Sequence, residues 1–246
     1  MDIPELSKNR LKELVKLTQK KYREAEQKVV VEGNRAIEHL IGMGLKPLEI
    51  YASDAKALPD LNVPAYLLKQ SDLDRLCDTQ HPQKIAALYA FLTMRKFDFR
   101  VAFYLDGIGD PGNMGTIFRI ASAFGIDGIL LSPDCCEVMS PKTIRASLGA
   151  VFQIPWAIKS HDEIPSFYAA LIYADMNGKT ALQDYKLPRD KPLIIAVGSE
   201  AHGLSMEIKE LAADSIYIPM KDGMESLNAA VATGIIAHHF WLQMRS

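Results

Sequence analysis

The sequence predicts an α/β protein: a small α/β unit over residues 1–95, then a parallel sheet covered by helices over 96–246. Two observations predict the class. In the second part, apolar runs of four to six residues recur between amphipathic stretches, as expected of strands covered on both faces. The first 95 residues hold a shorter alternation of the same kinds, closing on Met94-Arg95-Lys96. The composition agrees: 246 residues, 48% hydrophobic and 24% charged, with 15 Gly and 13 Pro. Those values exclude collagen-like and low-complexity chains, and the length suits one large domain or two modest ones.

In the first unit, residues 5–28 are rich in Lys and Arg, with Leu11, Leu14, Val15 and Leu17 on one side. That spacing predicts one amphipathic helix with a basic outer face. Val29-Val30-Val31 is a short strand, Glu32-Gly33-Asn34 feeds a helix over 35–43, and Gly44 stops it. Strands follow at 47–52, 65–68 and 85–91, with a helix at 71–77. In the second unit, strands are predicted at 101–105, 128–131, 170–174, 193–197 and 215–218. Helices fill 114–124, 141–148, 162–168, 204–212 and 226–244.

Several function classes drop out. A net charge of -2 excludes a strongly cationic nucleic-acid coat protein, although local basic faces remain open to phosphate. Cys77, Cys135 and Cys136 offer no disulfide framework and no zinc spacing; they read as reduced thiols, and the compartment as cytoplasmic. The N-terminus lacks a signal-peptide layout. Residues 227–242, the most apolar long stretch, carry Asn228, Thr233, His238 and His239, so a buried helix is expected there and no membrane span. There is no HExxH, GxSxG, P-loop lysine or EF-hand pattern, and no metal is expected.

Ligands of open parallel sheets bind at the carboxyl ends of the strands. Three such loops are rich in chemistry. After 101–105 the chain runs Asp106-Gly107-Ile108-Gly109-Asp110-Pro111-Gly112-Asn113-Met114-Gly115. Gly107, Gly109 and Gly112 satisfy G-x-G-x-x-G, but Asp110-Pro111 and Gly112 place the helix start at Asn113 or Met114. A dinucleotide reading, which needs its third glycine inside the helix, is therefore discounted. Asn113 stands where a helix cap belongs, and Arg119 projects away from the apolar stripe of Ile117, Ile120, Ala121 and Phe124. After 193–197 comes Gly198-Ser199-Glu200-Ala201-His202-Gly203, in which two glycines let the backbone approach a ligand beside the Glu200 carboxylate. After 215–218 come Pro219-Met220 and then Ser226-Leu227-Asn228, a polar opening to a very apolar helix.

These segments resemble the three ordered motifs of the SpoU (TrmH) family, RNA 2′-O-ribose methyltransferases of the SPOUT superfamily. The residues that carry the likeness are 110–115 with Arg119, 198–203, and Ile218-Pro219-Met220 with Ser226-Leu227-Asn228. Ser140-Pro141-Lys142 with Arg145-Ala146-Ser147 and Gly149 resembles a further family stretch, and the likeness spans roughly 100–240. Residues 1–95 resemble, more loosely, the family's substrate-binding extension, a small ribosomal-protein-like module.

The resemblance implies a C-terminal sheet threaded as a deep trefoil knot, a homodimer, and S-adenosylmethionine as cofactor, giving S-adenosylhomocysteine as product. It places the cofactor against Gly198, Ile218, Met220 and Leu227. It assigns Arg119 to the phosphate beside the reacting 2′-hydroxyl and to assisting proton removal, with Asn113, Glu200, Ser226 and Asn228 orienting it and the ribose. Lys142 and Arg145 become phosphate contacts. Ala229-Ala230 stand where family members often carry Val-Ser, which removes one hydroxyl. The implied substrate is ribosomal RNA, 23S-like, with transfer RNA or a non-catalytic RNA-binding role as the alternatives.

Overall fold

The computed structural model describes residues 3–77, 83–91, 97–199, 202–221, 223 and 226–245. The chain forms two compact units, Met1–Leu92 with Met139–Gly149, and Thr93–Val138 with Ala150–Ser246.

The first unit opens with helices α1 (Lys8–Lys16) and α2 (Lys20–Glu26), strand β1 (Lys28–Glu32) and helix α3 (Asn34–Gly42). Strands β2 (Glu49–Ala52) and β3 (Ala65–Leu67), helix α4 (Gln70–Asp74) and strand β4 (Ile85–Ala90) follow. The strands form one sheet in the order β1-β4-β2-β3. Leu11, Leu14 and Leu17 bury their stripe in a core with Val30, Tyr51, Leu73 and Leu88.

The single helix expected over 5–28 is broken in two. The Thr18 hydroxyl donates to the Val15 carbonyl at 2.8 Å, and Gln19 is extended at φ -102°, ψ 133°. A threonine side chain that bonds the backbone one turn earlier competes with helix continuation. The break turns α2 so that the buried Arg23 guanidinium donates to the Leu17 carbonyl at 2.8 Å.

The second unit begins with strand β5 (Val101–Asp106), helix α5 (Pro111–Ala123) and strand β6 (Gly128–Leu131). Helix α6 (Pro141–Ser147) comes next in the chain, but its segment, Met139–Gly149, groups with the first unit. The second unit resumes with β7 (Trp156–Ile158), β8 (Ala170–Ala174), β9 (Thr180–Ala181), β10 (Leu193–Gly198), α7 (Met206–Leu211), β11 (Asp214–Tyr217) and α8 (Ala229–Met244). The strand order is β7-β6-β5-β10-β8-β11-β9. Every pairing in this sheet is parallel.

Strands β7 and β9 are too short to stand out in the sequence and are additions to the five expected. The helix expected at 162–168 is a 3₁₀ helix, His161–Phe167, with Pro165 inside it. A proline there removes an amide donor that an α-helix would need. β10 is inserted between β5 and β8, so residues from the middle and the end of the unit meet at its carboxyl end. Among the described residues no helix is long and apolar enough to cross a membrane.

Candidate active site

Helix α5 starts at Pro111, two or three residues earlier than the sequence suggests. Asp110 is its cap, accepting from the Asn113 amide at 2.9 Å, and Pro111 takes the first helical position, where its missing N–H costs nothing. Gly112 therefore lies inside the first turn, contrary to the reason given against a dinucleotide site. What opposes a dinucleotide is the Asp110 carboxylate, which fills the helix start 2.8 Å from where a Gly112 Cβ would lie. An anion in that place opposes the pyrophosphate that such a motif would hold.

Because Asp110 does the capping, the Asn113 side chain is released for another partner. Its Oδ1 accepts from Asn228 Nδ2 at 3.0 Å, across 115 residues of sequence. Asn228 is the cap of α8, with Oδ1 accepting from the amides of Ala230 at 3.0 Å and Val231 at 3.2 Å. The helix expected at 226–244 thus begins at Ala229, leaving Ser226 and Leu227 in the connecting chain. One asparagine closes a helix end with its oxygen and ties the first loop to the third with its nitrogen.

At the carboxyl ends of β8, β10 and β11 lies a cavity of about 240 Å³. Gly198, Ile218, Met220 and Leu227 all line it, joined by Ser226 and by Gly203 and Leu204. The chain returns sharply here: Ser199 and Gly203 form a two-residue antiparallel bridge, with amide-to-carbonyl distances of 3.2 and 2.9 Å. Gly203 adopts φ +66°, in the left-handed region that favours glycine. A side chain on Gly198 would meet the Gly203 carbonyl carbon at 2.2 Å. The glycines are needed for this close backbone approach.

Arg119 lies on α5 beyond Asn113, exposed, and makes no hydrogen bond or ion pair among the described residues. Its neighbours Ile117, Phe118 and Ala121 are buried, which aims the guanidinium outward. Glu200 lies outside the described residues. Lys142 is exposed on α6, and Arg145 on the same helix faces Glu32 at 3.6 Å. Those two basic residues belong to the first unit.

A buried cluster was missed by sequence reasoning. Asp106, 4% exposed at the end of β5, accepts from the Ser205 amide at 2.7 Å, and its other oxygen meets His161 Nε2 at 3.0 Å. Ser205 caps α7 and directly follows the cavity residues Gly203 and Leu204. Asp106 therefore pins the cavity loop to the central sheet. The available signal was an acidic residue closing an otherwise apolar strand, Val101-Ala102-Phe103-Tyr104-Leu105-Asp106. Asp106→Ala strands the Ser205 donor and is expected to destabilise the fold by about 2 kcal/mol, measured by urea unfolding. Asp106→Asn keeps an acceptor for Ser205 and should recover most of that loss.

Asp175 also lines the cavity. Burial works to raise its pKa, but the Asn177 amide and the Lys209 ammonium at 2.9 Å outweigh it, and the carboxyl is held below its usual value. A depressed folded-state pKa means the stabilisation is present at neutral pH and is lost as acid protonates the carboxylate. Asp175→Asn should therefore cost roughly 1 kcal/mol or less at pH 7 and progressively less below about pH 4, read from unfolding curves at both pH values.

Similarity to known proteins decides the family. Residues 100–238 match the SpoU rRNA Methylase family, and residues 8–87 match an MRM3-like substrate binding domain. The chain belongs to the SpoU rRNA methylase family. It is 29% identical over 253 residues to the 23S rRNA (guanosine(2553)-2′-O)-methyltransferase RlmP of Bacillus subtilis, covering 96% of this chain and 97% of that protein. A solved structure of a TrmH-family protein from Porphyromonas gingivalis is 30% identical, with a TM-score of 0.84 over 98% of this chain and 99% of that one. The AdoMet-bound rRNA methyltransferase of Sinorhizobium meliloti is 25% identical, with a TM-score of 0.77 over 97% and 96% of the two chains.

As a SpoU-family protein the chain is an RNA methyltransferase enzyme. Both expectations, the family and the α/β class with a parallel sheet behind a substrate-binding unit, hold.

Proposed function

We propose that this SpoU-family enzyme moves a methyl group from S-adenosylmethionine to a ribose 2′-hydroxyl, in ribosomal rather than transfer RNA. The carrying observation is the convergence of Gly198, Ile218, Met220 and Leu227 on one cavity, with Asn228 between its lining residues and bonded to Asn113. Apolar walls from Val197, Ile216, Ile218 and Leu227, with the side-chain-free Gly198 and Gly203 between them, suit an adenine and a thioether chain. The AdoMet-bound Sinorhizobium relative supports the same assignment.

When bound, S-adenosylmethionine supplies an electrophilic sulfonium methyl. The chain's own residues must then align a weak nucleophile and exclude water. Arg119, exposed and without a hydrogen bond or ion pair among the described residues, binds the phosphate adjacent to the reacting ribose. Asn113 and Asn228 hold each other's orientation. Glu200 and Ser226 complete the polar set in this reading, and Lys142 and Arg145 add phosphate contacts. The trefoil threading belongs to the same reading.

The active unit is a homodimer. Val231, Ile235 and Leu242 stand 51%, 40% and 50% exposed on α8, an apolar surface that a second copy would cover. Ribosomal RNA is favoured by the RlmP relative and by the match to an MRM3-like substrate binding domain.

The test is methyl transfer from labelled S-adenosylmethionine to unmodified ribosomal and transfer RNA in parallel, with the labelled nucleoside identified by mass spectrometry. A 2′-O-methyl nucleoside from ribosomal RNA is expected. Label confined to transfer RNA overturns the substrate, a base-methylated product overturns the chemistry, and absence of cofactor binding overturns the site.

A further inference from the structure

We infer that His161 is a positioning residue for the cofactor cavity, holding the Gly203 and Leu204 wall in place through Asp106 and Ser205. The inference rests on the proposed function only for the identity of the molecule that fills the cavity.

Three segments far apart in the chain meet at one buried carboxylate. Asp106 ends β5 and pairs in register with Gly198, which lines the cavity. Its side chain is held from two sides: Oδ2 accepts from the Ser205 amide at 2.7 Å, and Oδ1 meets His161 Nε2 at 3.0 Å. An ionised carboxylate only accepts, so Nε2 is the donor. Ser205 Oγ stands 3.5 Å from the same nitrogen.

The histidine is itself fixed. It opens the 3₁₀ helix His161–Phe167, whose start is locked by Glu163. The Glu163 carboxylate accepts from the Ser160 amide at 3.1 Å and from the Lys159 ammonium at 2.7 Å. The Tyr104 ring meets the imidazole edge-on at 6.0 Å between centroids, and its hydroxyl donates to the Lys159 carbonyl at 3.2 Å. Backbone and ring are both held, which keeps Nε2 against Asp106.

The consequence reaches the cavity through one peptide plane. The Ser205 nitrogen and the Leu204 carbonyl belong to the same rigid amide, so holding the first orients the second. Leu204 and Gly203 line the cavity. Without a donor from His161, one buried oxygen of Asp106 is left unmatched, which is costly. A carboxylate that loses a donor also takes up a proton more readily. Either response loosens the hold on Ser205. The imidazole is 29% exposed, so it adds little to burial, and its hydrogen bond is what the cluster uses.

The test compares His161→Gln, whose amide can donate from the Nε2 position, with His161→Leu, which fills similar space without a donor. Calorimetry is expected to show S-adenosylmethionine bound within about threefold of the unaltered chain by His161→Gln, and about tenfold more weakly or worse by His161→Leu. In ¹⁵N-labelled samples the Ser205 amide proton should lie downfield in the unaltered and Gln chains, as a short bond to a carboxylate requires, and move upfield in the Leu chain. Equal affinities of the two variants, or a Ser205 amide that ignores both, overturn the role. The unaltered chain supplies a check that needs no variant to fold. Its His161 ring nitrogens, read from long-range ¹⁵N correlation spectra, should show a proton on Nε2, and a bare Nε2 overturns the inference. Failure of the unaltered chain to bind S-adenosylmethionine overturns the proposed function instead, and the ring and Ser205 resonances still decide whether His161 holds the cavity wall.

Discussion

Arg119→Ala is expected to lower methyl transfer roughly a thousandfold while S-adenosylmethionine affinity stays within about twofold. The split follows from position. Arg119 is absent from the cofactor cavity wall and makes no bond among the described residues that its loss would break. Its helix is held instead by the buried faces of Met114, Ile117, Phe118 and Ala121, and α5 should keep its place. What disappears is a forked cation on the exposed face of α5, the group that in the proposed function aligns a phosphate and a reacting hydroxyl. Arg119→Lys keeps the charge but not the fork and should recover little. Single-turnover rates with saturating RNA, set beside calorimetric cofactor binding, read both quantities. Turnover near that of the unaltered enzyme would remove Arg119 from the reaction.

Gly198→Ala is expected to weaken cofactor binding at least tenfold and to destabilise the fold by about 2–3 kcal/mol. The added Cβ would lie 2.2 Å from the Gly203 carbonyl carbon and 2.5 Å from the Leu204 amide nitrogen. Backbone cannot rotate away as a side chain can, so the Ser199–Gly203 bridge must open and carry the cavity wall with it. A second glycine supplies the contrast. Gly234 is interior to α8, and a Cβ there meets only the Ile120 side-chain end at 3.4 Å. Gly234→Ala should therefore stabilise by about 0.5–1 kcal/mol through helix propensity. Calorimetry and urea unfolding on both variants test the pair. A Gly198→Ala chain with unchanged affinity would mean that the cofactor lies elsewhere.

Much of the site was legible because it is built from contiguous loops. An apolar run followed by glycines and polar residues marks where a buried parallel strand delivers its chain to a ligand. The runs ending at 105, 197 and 218 did so in order. What could not be read was how those loops meet. The order β5-β10-β8-β11 places the end of β10 between strands from earlier in the chain, and no local pattern encodes such an insertion. Asn113 read as a cap because it is a cap-forming residue near a helix start. That Asp110 takes the role and frees Asn113 for Asn228 depends on a partner 115 residues away.

By itself the sequence determined the class of the protein, the strands of the second unit that are long enough to be seen, and the three loops that carry chemistry. Periodicity and glycine placement are local properties, set by burial on each strand's two faces and by backbone freedom. Only the tertiary structure decided that α6 packs with the first unit, that Thr18 and Gln19 divide the basic helix, and that Asp106 pins the cavity loop through Ser205. The last two each depend on one polar group finding a distant or competing partner, worth about 1 kcal/mol, and a pattern of apolar residues carries no record of that choice.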